Sequence, residues 1–560
     1  MTGTIPFGRL PGPLSRLLLA GGRGPGLAAA RDEAGWSGPA ALADALALAV
    51  WEDAPLAPEA AAVAAARHAG RPFLPPETNR VVAAVAASAR PAGPEPYFDR
   101  LAARREIPKM LAYLLDRHRK DPADAGILHR LSCLAPMADA AGEGALAEVA
   151  ALLADLAGPL APAGALVAGE LSLLAGRTDA AEAHLRRSLA GLPTAAAGLR
   201  LAEALLRQGG REAALAELAA ACAGRPCDVL ATTRLYDLAT GLADRLEPLP
   251  GPVAVLLYSF NSAPLLARTL EALEATDWAF APAGARIVVL DNGSADDTAA
   301  VCAAARDRSA GRLEVVSLPV NVGAPAARNW LAALPPVRAA AFAAYLDDDA
   351  LVPPDWLGRF GAAVAAMPGA GVWGSLVRAT DAPRFVQSAD THLLPTPRGQ
   401  DGESRAFALA RPWLTTADWG QYALCRPCAS VTGCCHLFRT DVLTGLGGFD
   451  IRFSPTQYDD LDLDIRQLLA GRPAACQGHL TVLHAKATGA AAHVGGKQYG
   501  SAFANQFKLH HKYDDGQIEA AARTAFDALA ADLAGKIETL AGLGLIGPET
   551  PEAGEGERGV

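Results

Sequence analysis

The chain has 560 residues, with 50 Lys and Arg against 60 Asp and Glu and a net charge of −10. That length amounts to about three to four domains' worth of chain, and an acidic balance without a long basic run argues against an electrostatic nucleic-acid partner. No apolar stretch reaches the ~18 residues of a membrane span, and Gly and Pro interrupt MTGTIPFGRLPGPLSRLLLAGG too early for a secretory signal, so a cytoplasmic location is the expectation.

Residues 1–100 read as helices, at 42–51 and 81–89, separated by Pro- and Gly-rich joints and without catalytic spacing. Residues 101–247 carry a repeat. GEGALAEVAALLADLAGP, GRTDAAEAHLRRSLAGLP and GGREAALAELAAACAGRP end at Pro159, Pro193 and Pro226, spaced by 34 and then 33 residues, and further helical stretches lie at 165–175 and 198–208. This period, with small residues where helices cross and a closing proline, resembles tetratricopeptide repeats, although the aromatic positions are mostly Ala or Leu. Such a solenoid offers a concave face to a protein acceptor or partner; an alanine-rich spacer that shields or dimerises an enzyme is the plainer reading.

From 251 onward the pattern changes. Residues 253–257 and 287–290 are short apolar runs rich in β-branched side chains, as in buried strands of a parallel sheet, and residues 265–275 and 297–305 follow with helical spacing. Strand, helix, strand, helix predicts a doubly wound α/β fold, whose ligands sit at the strand carboxyl ends. Those ends hold Ser259, Phe260 and Asn261, then Asp291, Asn292 and Gly293. Asp291 is placed to accept hydrogen bonds from a base or ribose, and Gly293 to let the chain turn near a ligand. A turn and helix cap by Ser294 or Asp296 explains the same residue types.

A third apolar run, 339–346, ends in Asp347, Asp348 and Asp349. Adjacent carboxylates repel unless a cation or a hydrogen-bond network lies among them. Alternate strand positions share a face, so Asp347 and Asp349 can converge on one divalent ion with Asp348 turned toward a bound ligand or the sheet. Oxygen ligands favour Mg²⁺ or Mn²⁺ over Zn²⁺. A solvated acidic loop before Pro353 and Pro354 is the alternative.

Cys425 and Cys428, followed by Cys434, Cys435 and His436, have the spacing of half a zinc site. A second pair at that spacing is missing, so buried thiols are the expected state. Further on, Asp459, Asp460, Asp462 and Asp464 follow GGFD, and such acids also suit a helix N-terminus. His484 ends the strand-like run HLTVLH, with His479 and His493 as competitors. Residues 491–546 read as a helical extension and 547–560 as a disordered tail.

The segment from about 252 to 484 resembles the catalytic domain of glycosyltransferase family 2, which has the GT-A fold. VAVLLYSFNS resembles its first strand, with Tyr258 where proline is common and Phe260 where tyrosine is common. The resemblance implies that Asp291 binds the base and that LPVNVGAPAARNWLAAL brings Asn321, Gly323 and Arg328 to the donor, Arg328 toward the diphosphate. It puts Asp347 to Asp349 on the metal motif and His484 in the metal and diphosphate shell. The GGFD block followed by Asp459 and Asp460 resembles the acceptor side, which implies Asp460 as general base and Asp459 as the residue that orients the acceptor or a metal-bound water. The expectation is therefore an inverting sugar transferase at 251–490 using Mn²⁺ or Mg²⁺, with a nucleotide-sugar donor and a glycan or protein acceptor. A nucleotidyltransferase is the nearest other enzyme, but LLYSFNSAPLL lacks its glycine-rich basic loop. A repeat scaffold carrying a decayed domain is the non-enzymatic alternative.

Overall fold

The computed structural model describes residues 10, 12–22, 25–88, 93–140, 144–381, 384–396, 405–414, 417–485 and 496–547. His493 and the tail from 548 lie outside the described residues. The chain divides into two compact units, residues 1–239 with 534–560, and residues 240–533.

The described part of the first unit is helical. The expected helix at 42–51 falls within Ala40–Asp53, and that at 81–89 overlaps Pro76–Ser88, with residue 89 outside the described residues. In the repeat, Ala161–Leu174, Ala195–Arg207 and Val229–Ala239 alternate with Thr178–Gly191 and Arg211–Gly224. Small residues permit close crossing: a Cβ on Gly169 would lie 2.5 Å from Leu185 Cγ. One polar contact recurs along the stack. Arg200 donates to Glu170 at 2.5 Å, and Arg234, 34 positions later, donates to Glu203, 33 positions after Glu170. Each pair ties a helix to its equivalent in the preceding repeat.

The second unit is built on a sheet whose first half is parallel. The strands β1 (Val253–Ser259), β2 (Ala285–Asp291), β3 (Leu313–Ser317) and β4 (Phe342–Leu346) alternate with the helices α1 (Ala263–Glu274), α2 (Thr298–Arg308) and α3 (Ala324–Ala333). β1 and β4 are almost wholly buried and apolar because both sheet faces are covered there, whereas β3, at the end of the sheet, is largely accessible. β4 begins at Phe342 rather than 339, because Pro335–Arg338 forms a short helix and the amides of Ala341 and Phe342 both bond to Pro252 O.

After the two-residue β5 (Ala350–Leu351) come α4 (Trp356–Ala366), β6 (Val372–Ala379), β7 (Val386–Ser388), β8 (His392–Pro395), β9 (Phe407–Ala410), β10 (Cys425–Cys428) and β11 (Cys435–Arg439). They are followed by α5 (Asp459–Leu469), β12 (Ala474–His484), α6 (Gly496–Lys512) and α7 (Asp515–Gly542), of which residues up to 533 belong to this unit and the rest to the first. The main sheet runs β10, β12, β6, β11, β4, β1, β2, β3, with β5 on β12 and β7 on β6, while β8 and β9 pair separately. β11 lies antiparallel between β4 and β6, so the sheet is mixed.

The topology locates the crevice. β1 pairs with β2 on one side and β4 on the other, both parallel. The winding direction therefore reverses between β1 and β4, and a ligand cleft opens at the carboxyl ends flanking such a reversal. Those ends are Ser259 and Asp347.

Candidate active site

At this edge the Ser259 hydroxyl donates to Asp348 Oδ2 at 2.7 Å, joining β1 to the acidic turn after β4. Asp348 is thereby turned into the sheet. Asp347 and Asp349 share the other direction with His484, whose Nε2 lies 3.0 Å from Asp349 Oδ1 and 3.7 Å from Asp347 Oδ2. β5 pairs with the end of β12, opposing Ala350 to His484, and this brings a histidine 135 positions later onto the turn. His479 lies instead in the irregular stretch between Gln477 and Thr481.

His484 Nδ1 is 2.8 Å from Gln387 Oε1. An oxygen accepts there, so Nδ1–H donates to Gln387, and the ring turns Nε2 toward the two carboxylates. Burial pushes Asp347 up to about 6, with Arg328 and His484 opposing the shift and Asp349 and Asp348 adding to it. An imidazole nitrogen turned toward two carboxylates is a set of ligand atoms that a divalent cation can take up once Nε2 is unprotonated, so the residues present fit a metal. A donor that the sequence reading had set aside joins them. The Cys434 sulfur, one Asp347 oxygen and one His484 nitrogen all lie within 4.8 Å of one another.

The loops that follow β1, β2 and β3 are held by their own polar groups. Asp291 Oδ1 accepts from the Ser294 amide at 2.9 Å. Asn292 donates to Asn321 Oδ1 at 3.0 Å and accepts from the Val322 amide, while Asn321 Oδ1 also accepts from the Gly323 amide at 2.8 Å. The two asparagines thus brace the rim of the crevice. Asn261, at φ 51°, accepts from the Ala295 amide, and Phe260 beside it is 44% exposed. Gly293 sits at φ 79°, where a Cβ would fall 2.6 Å from Val320 C, so no side chain fits. The turn-and-cap reading also holds locally, since Asp296 Oδ1 accepts from the Thr298 amide at the start of α2.

Arg328, expected at the diphosphate, points into the protein. It is 5% exposed, donates to Asp459 Oδ2 at 2.7 Å and lies 3.5 Å from Asp347 Oδ1. Its guanidinium is flanked by the rings of Tyr258 and Phe449, at 5.4 and 5.2 Å from their centroids. Gly433 packs against it so closely that a Cβ there would lie 2.6 Å from Nη2. Neighbouring Asn329 holds the GGFD turn, accepting from the Phe449 amide at 2.8 Å and donating to its carbonyl at 2.7 Å.

The four acids after GGFD have four environments. Asp459 is buried against Arg328, and burial raises its pKa. Asp462 is bound by Lys512, Arg466 and the Tyr513 hydroxyl. Asp464 accepts from the Ser430 hydroxyl at 2.7 Å and the Val431 amide at 3.1 Å, and burial pushes it up to about 8. Asp460 alone among them is half-buried, its oxygens accepting from the Gly433 and Leu461 amides at 2.9 and 2.8 Å. Gln457 and Tyr458 precede the helix with φ of 76° and 69°, a left-handed pair of non-glycine residues of the kind that marks functional turns.

Cys425 and Cys428 are buried in β10, and the one group of three or more closely set His, Cys and acid side chains among the described residues is Asp347, Cys434 and His484. His436 is packed among the rings of Tyr345, Phe438 and Phe449, and burial lowers its pKa well below the usual imidazole value. Sequence reasoning missed Gln387 and Gly433 and gave Tyr258 no partner, because these contacts come from strand register and helix docking, which leave no local signal.

Residues 254–445 match the family model for glycosyl transferase family 2. The succinoglycan biosynthesis protein ExoU of Rhizobium meliloti (strain 1021) is 39% identical over 85 residues, covering 15% of this chain and 23% of that protein's length. Among solved structures, a mannosyltransferase from Pyrobaculum calidifontis in complex with GDP-Man and Mn²⁺ aligns at 16% identity and TM-score 0.33, over 59% of this chain and 87% of its own. GalNAc-T7 with UDP, GalNAc and Mn²⁺ aligns at 13% and TM-score 0.35, over 53% and 58%.

Proposed function

We propose, from the family 2 glycosyl transferase domain that residues 254–445 carry, that this protein moves a sugar from a nucleotide-diphosphate donor to an acceptor hydroxyl with inversion at the anomeric carbon. The observation that carries the reading is the meeting, at one sheet edge, of the Ser259–Asp348 contact, the Asp347, Asp349 and His484 donors, and the acid pair opening α5. A simple acidic loop has no need of a histidine from a distant strand.

In this reading Asp291 receives the base or ribose, Phe260 stacks on it, and Gly293, Asn292, Asn321 and Gly323 shape the wall along the donor. Asp347, Asp349 and His484 hold a divalent ion, Mn²⁺ or Mg²⁺, which when bound supplies positive charge against the leaving diphosphate. Asp460 takes the proton of the acceptor hydroxyl as it attacks. Its partners are two backbone amides, whereas Asp459, Asp462 and Asp464 are engaged by Arg328, by Lys512 and Arg466, and by Ser430. Arg328 acts as a positioning residue, fixing Asp459 beside the base and Asp347 beside the cation.

The helical repeat at 101–247 serves, in the same reading, to hold a protein acceptor or partner, supported by the recurrence of the Arg–Glu contact at a 33- to 34-residue period. Lipopolysaccharide and other glycans are the competing acceptors. A cytoplasmic site of action accords with the finding that no helix among the described residues is long and apolar enough to cross a membrane.

The test is release of nucleotide from a panel of UDP-, GDP-, dTDP- and CMP-sugars with Mn²⁺ or Mg²⁺, using Asp349→Ala as control. Metal-dependent release from one donor, lost in the variant, is the expected result. Absence of both release and binding across the panel removes the transferase reading and leaves the repeat as the working part.

A further inference from the structure

We infer that Cys434 is itself a ligand of the cation site, so that the centre is a mixed sulfur, nitrogen and oxygen site that selects thiophilic divalent ions over magnesium. The inference rests on the metal site of the preceding reading and departs from an all-oxygen shell with one imidazole.

Three observations converge. The Cys434 sulfur, one Asp347 oxygen and one His484 nitrogen lie within 4.8 Å of one another. Ligand atoms around one tetrahedral ion, at bond lengths of about 2.0–2.3 Å, stand about 3.3–3.8 Å apart, so side-chain adjustment alone closes the set. Second, the cysteine is fixed where it is: the Asp347 amide donates to Cys434 O at 2.9 Å, and Cys435 opposes Leu346 in the β4–β11 ladder. Cys434 is 4% exposed and stays at the carboxylates. Third, Gln387 against His484 Nδ1 turns Nε2 toward Asp349 and Asp347.

Thiolate sulfur is a soft donor, and softness in one position of a site favours Zn²⁺, Co²⁺ or Cd²⁺ and disfavours Mg²⁺. On binding, the sulfur–metal bond forms as the S–H bond breaks, with the proton passing to water and no change in oxidation state.

The experiment uses the full chain, kept reduced and stripped of metal by chelation, titrated with Co²⁺ in the absence of any sugar donor. Wild type is expected to show a sulfur-to-cobalt charge-transfer band in the near ultraviolet together with visible ligand-field bands. Cys434→Ser should lose the charge-transfer band and bind Co²⁺ about 10- to 100-fold more weakly, the cost typical of weakening a metal's supporting groups, while Cys435→Ser keeps the band. An unchanged band in Cys434→Ser, or wild type that binds Co²⁺ without it, overturns the inference. A second reading needs no variant: Cd²⁺ should displace Mn²⁺ from wild type, seen by electron paramagnetic resonance, at concentrations where Mg²⁺ does not, and equal displacement by Mg²⁺ overturns it as well. The two proposals separate cleanly. A sulfur band in a protein that transfers no sugar counts against the transferase alone, whereas transfer without the band counts against the ligand alone.

Discussion

Arg328 and Asp459 stand 131 positions apart in sequence and meet at 2.7 Å inside the second unit, with the guanidinium held between Tyr258 and Phe449. The pair joins the helix after the Asn-Val-Gly loop to the helix that opens with the acid pair. Because Arg328 also approaches Asp347 at 3.5 Å, one buried cation sits between the two carboxylate clusters of the site. Removing one partner of a buried pair leaves an uncompensated charge, which is costlier than removing both.

Arg328→Met should therefore destabilise the protein by about 3–5 kcal/mol, read as a lower thermal midpoint. The double change Arg328→Met with Asp459→Leu should recover most of that loss. A double variant as unstable as the single would show that the pair is not the source of the cost.

Asp460→Asn should slow transfer by about 10²- to 10⁴-fold, the usual contribution of a positioned base, with donor affinity by calorimetry unchanged. The amide keeps the shape and can still accept from the Gly433 amide. Turnover near wild type would move the base to another residue.

Chelation should abolish donor binding and added Mn²⁺ should restore it, whereas Asp349→Ala should remove both binding and restoration. His484→Ala should weaken ion affinity by about 10- to 100-fold, measured by Mn²⁺ titration. Donor binding undiminished by chelator would end the metal-assisted reading.

Asp464 gives a pH dependence with a definite sign. Its folded pKa is raised to about 8 by burial, above the ordinary carboxylate value, so the folded state binds more protons between those limits. Stability attributable to this group therefore falls as pH rises from about 4 to about 8. Asp464→Asn should hold a higher thermal midpoint than wild type at pH 8 and a similar one at pH 4, with about 2–4 °C expected per kcal/mol. The same gap between the two proteins at both pH values would contradict the assignment.

Much of this architecture is legible in sequence, because buried parallel strands are nearly continuous apolar runs and end where polarity begins. The runs at 253–257 and 287–290 lie within β1 and β2, and the acidic triplet does close β4. The zinc-like cysteine spacing was a weaker guide, since ligand spacing along a chain says nothing about which sulfurs face one point. Cys434 lies with Asp347, while Cys425 and Cys428 are buried in another strand.

The sequence by itself determined where strands stop and which residue types stand at those stops, since both follow from local hydrophobic pattern and from chemistry needed in short motifs. Tertiary structure alone decided what those residues touch. The β5–β12 pairing carries His484 onto the acidic turn, and the docking of α5 gives Asp459 to Arg328 while leaving Asp460 half-buried. Adjacent aspartates are chemically alike in one dimension; the direction each points, and the partner it meets there, is fixed by long-range register and helix packing, which no local pattern encodes.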